Sequence, residues 1–132
     1  MAKIKTRDQI ALDFDGTLTA FGNHDTLPLP PPVEAGDVLP DGKVAKMGTR
    51  QFLEGLKAAG KHVTIVSHRP TGQIKDWLNQ YGMADMVPGG VTNIKPEAAA
   101  YYDDRAVRHN GNLKKGLKRL TKKKYQFPWW KR

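Results

Sequence analysis

The stretch Gln9-Ile-Ala-Leu-Asp13-Phe14-Asp15-Gly16-Thr17-Leu18-Thr19 constrains this chain more than any other. An apolar run, Ile10 to Leu12, leads into two aspartates one residue apart and then a glycine, the pattern of a buried strand ending in a sharp turn. Ligand sites in open α/β sheets lie outside the carboxyl ends of the strands, so such a strand delivers its carboxylates where chemistry is done. Side chains of an extended strand alternate with period two, which points Asp13 and Asp15 the same way. Two like charges that close need a cation or a proton between them.

The chain after this strand reads as strands alternating with helices. Residues 20–43 hold five prolines and three glycines without a sustained period, the mark of a long, stiffened loop. Phe52, Leu53 and Leu56 predict a helix over 47–59, with Gly60 where a C-terminal cap belongs. Lys61 to Val66 is a β-branched run of strand type, and it carries Ser67, His68 and Arg69 to the edge that holds the aspartates. Pro70 suits the first turn of a helix to Tyr81, with an apolar stripe of Ile74, Trp77, Leu78 and Tyr81. A short strand is expected at 85–87, another at 99–102 ending in Asp103 and Asp104, and an edge strand near 106–109. The last helix is expected over 113–124, with Leu113, Leu117 and Leu120 on one face and lysines on the others. The alternation predicts an α/β fold with a parallel sheet covered on both faces. Three strand ends that between them bring two pairs of carboxylates and the Ser67 hydroxyl, with Lys95, suit a Mg²⁺ phosphate site, because Mg²⁺ prefers hard oxygen ligands.

Totals narrow the classes. One hundred and thirty-two residues make one domain. No apolar stretch reaches the roughly 18 residues of a membrane span, and the first residues lack the apolar core of a secretory signal, so a cytoplasmic protein without membrane contact is expected. Zero cysteines exclude disulfides and thiolate metal sites. The net charge of +9 is unevenly placed: residues 1–104 hold 11 Lys+Arg against 13 Asp+Glu, whereas 105–132 hold 11 Lys+Arg and no acid. A core over 1–112, with its loop at 20–43, is thus followed by a basic helix and tail over 113–132, which suggests a polyanionic partner such as nucleic acid. A solvated helix face is the plainer reading of the same lysines.

Asp13-Phe-Asp15-Gly-Thr17-Leu resembles the first motif of the haloacid dehalogenase (HAD) superfamily of phosphohydrolases. Ser67 at a strand end, Lys95 in Asn-Ile-Lys95-Pro96, and the acidic pair Asp103-Asp104 resemble the other three motifs, in order. The resemblance spans about residues 8 to 120. It implies a three-layer Rossmann-like sandwich around a parallel sheet. The loop at 20–43 falls where the family places a flap or a cap and is too short for a folded cap, so a capless member with an open site is implied, which such members often close by forming homo-oligomers.

The resemblance also assigns roles. Asp13 is the nucleophile that forms an aspartyl phosphate, Asp15 the general acid and base, and Lys95 the cation that offsets charge on the nucleophile and the phosphate. Asp13, the Asp15 backbone carbonyl and Asp103 hold Mg²⁺, with Asp104 behind them. Ser67 binds phosphate oxygens, and Thr17, His68 and Arg69 are further candidates for phosphate or substrate. Arg69 has two readings, a clamp on a second anionic group or a partner for a local carboxylate such as Asp76. The expected activity is a Mg²⁺-dependent phosphomonoesterase acting on a small phosphorylated metabolite, a nucleotide or a nucleic-acid end.

Other readings compete. A calcium-binding helix-loop-helix needs further oxygen ligands and a Glu at set spacing, which Thr17-Leu18-Thr19 does not provide. In a response-regulator receiver the phosphorylated Asp follows a later strand, yet the strand ending in Ser67 carries no acid. A non-catalytic nucleic-acid-binding module would use the basic tail, with Trp129 and Trp130 stacking on unpaired bases.

Overall fold

A computed structural model describes residues 8–20, 25–39, 42–94, 100–103, 107–108 and 113–121, with backbone alone at 100–103, 107–108, 115, 116 and 119. Five strands, β1 (Gln9–Leu12), β2 (His62–Val66), β3 (Val91–Thr92), β4 (Ala100–Asp103) and β5 (Val107–Arg108), form one sheet in the order β3-β2-β1-β4-β5. Every pairing is parallel. The α/β class and the parallel sheet are therefore as the sequence pattern predicts. The strand that carries the aspartates is the central one, and Ile10, Ala11 and Leu12 are each almost wholly buried.

Among the described residues three α-helices, α1 (Thr49–Ala58), α2 (Thr71–Gln80) and α3 (Leu113–Leu120), accompany the sheet. In a parallel pair, residues in register point to the same face, and the register sets Ile10 beside Val63 and Leu12 beside Ile65. These four share one core with Phe52, Leu53 and Leu56 of α1, Ile74, Trp77 and Leu78 of α2, and Leu113 and Leu120 of α3. All three helices thus pack on one face of the sheet. The opposite face of β2 presents His62, Thr64 and Val66, each half-buried, and no helix covers it among the described residues.

Close approach explains two glycines. A Cβ on Gly89 would lie 1.9 Å from Thr64 Oγ1 and 2.8 Å from the Val63 carbonyl, so the turn before β3 can lie flat on β2 only without a side chain. A Cβ on Gly55 would lie 2.5 Å from a Leu117 methyl, which sets the spacing of α1 and α3.

Several expectations change. The strand expected at 85–87 is a single helical turn at Ala84–Met86, because Met83, Met86 and Val87 are buried at helical rather than alternating spacing. The strand beside β2 comes instead at Val91–Thr92, where the Gly89-Gly90 turn returns the chain to the sheet. Helix α1 opens at Gly48, whose N–H donates to Gln51 Oε1 at 3.1 Å. Outside the core, the exposed Lys57 hydrogen-bonds Asp85 and holds its carboxyl below the usual range.

The fold holds the described residues of the proline-rich loop. Thr19 pairs with Pro32 and Val38 with Val44, both antiparallel. Thr49 anchors the loop's middle: its N–H donates to the Val33 carbonyl at 2.8 Å, and its hydroxyl accepts from Val33 N at 3.0 Å and donates to the Leu18 carbonyl at 2.6 Å.

Candidate active site

The strand part of β1 ends at Leu12, and residues 15–18 form a tight turn in which the Phe14 carbonyl accepts from Thr17 N at 3.2 Å and Leu18 N at 2.9 Å. Gly16 takes a φ of +74°, the left-handed region that favours glycine, and its N–H donates to Thr19 Oγ1 at 3.1 Å. Asp13 stands half-buried at the strand's end. Asp15 belongs to the turn, so it is the turn rather than strand alternation that aims its carboxylate. Thr17 is buried within this turn.

Next door, β2 ends in a second turn. Ser67 is buried, its N–H donates to the Thr92 carbonyl at 3.1 Å, and its hydroxyl accepts from Arg69 N at 3.1 Å. His68 is exposed. Asn93 ties this turn to the end of β3: its amide donates to the Ser67 carbonyl at 2.6 Å and the Arg69 carbonyl at 3.2 Å.

Arg69 joins the two turns. Its side chain is fully buried, and its Nη2 meets Asp15 Oδ1 at 2.6 Å while Nε meets Oδ2 at 3.4 Å. Nη1 donates to the Thr26 carbonyl at 2.8 Å and to Gln73 Oε1 at 3.3 Å. Of the two sequence readings for Arg69, this is the ion pair, formed with Asp15 across the sheet rather than with Asp76 on the following helix. The Phe14 ring, 6.0 Å from the guanidinium carbon, packs edge-on against Trp77 at 4.9 Å.

On the other side of β1, Leu12 is in register with Tyr102. One step further, the backbones of Asp13 and Asp103 lie side by side at the same edge. Lys95 and Asp104 lie outside the described residues, as does the side chain of Asp103. Among the described residues no three His, Asp or Glu side chains gather as metal ligands. The carboxylates at this edge are hard oxygen donors, the chemistry Mg²⁺ prefers. Asp13, Asp15, Ser67 and Arg69 are thus brought to one edge, whereas Thr17 is turned inward and His68 outward.

Compared with known protein families, curated proteins and solved structures, the chain matches none.

Asn93, Gln73 and Thr26 carry hydrogen bonds here that the sequence did not signal. They are neutral groups with no periodic pattern, one of them acting through its backbone carbonyl. No helix among the described residues is long and apolar enough to cross a membrane. The described open groove, of about 480 Å³, is lined by Pro32, Glu34, Arg50, Gln51, Tyr81 and Met83 among others. It lies where Arg50 hydrogen-bonds the Tyr81 carbonyl at the end of α2, and its lining includes none of the candidate site residues.

Proposed function

We propose that this chain is a Mg²⁺-dependent phosphohydrolase of the HAD type, built on a capless Rossmann-like core. The observation that carries the reading is the meeting of two strand-end turns. The central strand brings Asp13 and Asp15, its neighbour brings Ser67 and Arg69, and Arg69 touches Asp15 between them. The backbone of Asp103 beside Asp13 supports a third contribution from β4.

In the proposed reaction an Asp13 carboxylate oxygen attacks phosphorus and the bond to the leaving oxygen breaks. Asp15 gives its proton to that oxygen, releasing an alcohol and leaving an aspartyl phosphate. Asp15 then takes a proton from water as the water oxygen attacks phosphorus. Phosphate leaves, and both carboxyl groups return to their starting states. The Ser67 hydroxyl would hold a phosphate oxygen, and Lys95 would offset the negative charge. Bound Mg²⁺, held by Asp13, the Asp15 carbonyl and Asp103, would neutralise the phosphoryl oxygens.

Exposed Lys114 and Lys118 on α3, with the basic residues that follow, support an anionic substrate as large as a nucleic-acid end. The test is Mg²⁺-dependent turnover of an aryl phosphate, sugar phosphates, nucleotides and 3′- or 5′-phosphorylated oligonucleotides, with Asp13→Asn beside the unaltered chain. Turnover in the unaltered chain and background in Asp13→Asn is the expected result. Activity that survives Asp13→Asn removes the proposed nucleophile. Salt-dependent oligonucleotide binding without any turnover would favour the non-catalytic binding module instead.

A further inference from the structure

Arg69 is a fully buried cation whose hydrogen bonds reach three other segments: the catalytic turn, the proline-rich loop and the first turns of α2. We infer that Arg69 is a positioning residue for Asp15, not a ligand of the substrate, in the reaction proposed above, on which this role rests.

The geometry separates the two roles. A side chain that clamps a substrate anion presents its donors to solvent until substrate arrives. The Arg69 side chain has no exposure, and both edges of its planar fork are occupied: Nε and Nη2 face the Asp15 carboxylate, and Nη1 faces the Thr26 carbonyl and Gln73 Oε1. A substrate anion would have to displace Asp15 itself. A bidentate guanidinium fixes both the place and the plane of a carboxylate, whereas a lysine ammonium makes a point contact. Asp15 needs that constraint because it sits on a turn after the strand has ended, and a general acid and base must stay within hydrogen-bond reach of the leaving oxygen.

Arg69 is itself held in place. Its N–H is fixed by the Ser67 hydroxyl, its carbonyl by Asn93, and its head by Gln73 one turn into α2. The Thr26 carbonyl makes the loop part of the same support. Displacement of the loop at Thr26 would therefore reach Asp15 through a single side chain.

The experiment compares the full chain with Arg69→Lys and Gln73→Ala, using an aryl phosphate and Mg²⁺ and reading kcat, KM and the thermal midpoint. Misplacing a catalytic group by about 1 Å can lower turnover about a hundredfold. Arg69→Lys is expected to lose about that factor in kcat with KM within about twofold, and Gln73→Ala a smaller factor in the same direction. A raised KM with kcat retained would make Arg69 a substrate ligand and overturn the inference. A lowered midpoint with unchanged kcat and KM per folded molecule would make its role structural, and would also overturn it. If Arg69→Lys fails to fold, Gln73→Ala decides, and an unchanged kcat there counts against positioning. Failure of the underlying reading is separate: it shows as absent turnover in the unaltered chain and removes both claims. Normal turnover there with unaltered variants removes only this one.

Discussion

The two halves of the loop between β1 and α1 differ in composition and are held in opposite ways: residues 25–33 hold four prolines and no glycine, residues 37–45 one of each. Residues 25–33 are bound to the body of the molecule. The Thr26 carbonyl takes a bond from Arg69, the Pro30 carbonyl from Trp77 Nε1 at 2.8 Å, and the Val33 carbonyl from Thr49 N. Residues 37–39 and 42–45 are bound to one another: Leu39 N donates to the Lys43 carbonyl and Ala45 N to the Asp37 carbonyl, both at 2.8 Å. Their Val38 and Val44 side chains are 70% and 57% exposed. Prolines lack an N–H but keep a carbonyl. A segment of prolines therefore docks by accepting, and needs donors aimed at it from elsewhere. Arg69, Trp77 and Thr49 are those donors for the first half, and the second half, with its amides intact, folds back on itself.

The sharpest way to break this contrast is Trp77→Ala. The ring is buried against Phe14 and Tyr81, and its N–H satisfies the buried Pro30 carbonyl. Removing a buried Trp costs about 3–5 kcal/mol, read by denaturant unfolding, and proteolysis within 25–33 is expected to quicken with it. Thr49→Val keeps the shape and removes the hydroxyl that serves Leu18 and Val33. Val33 N and the Leu18 carbonyl would keep only their own contact of 3.3 Å, so losing the two hydroxyl bonds should cost about 1 kcal/mol. Val38→Thr together with Val44→Thr should change unfolding free energy by no more than about 0.5 kcal/mol, as exposed substitutions away from special features do. A large loss from this last pair would mean that Val38 and Val44 support the core despite their exposure, as their buried neighbour Ala45 does.

Much of the framework could be read in the residues themselves. The run Ile10 to Leu12 announced a strand buried on both sides, the spacing of Phe52, Leu53 and Leu56 announced α1, and Gly60 and Gly82, at φ +77° and +65°, mark helix ends. What escaped was set by distance along the chain. Asp76 appeared as near a partner for Arg69 as any, because only the alignment of β1 with β2 brings Asp15 beside it. Strand β3 has two residues, too few for any period to show. The burial of β2 on one face alone was in fact written in its alternation of His62, Thr64 and Val66 with Val63 and Ile65. A β-branched run suits either a one-sided or a two-sided strand, so the half-buried face passed unnoticed. For the candidate site, Asp13, Asp15 and Ser67 stood out by motif, whereas Asn93, Gln73 and the Thr26 carbonyl act through position alone.

The buried pair of Arg69 and Asp15 has a bearing on how the chain finds its sheet. The partners are 54 residues apart, and they meet only when Leu12 lies opposite Ile65. A slip of one residue would turn Ile10 and Leu12 to the other face and leave the buried Arg69 cation without its carboxylate, a loss of several kcal/mol. The same contact that steadies Asp15 therefore proofreads the alignment of the two central strands.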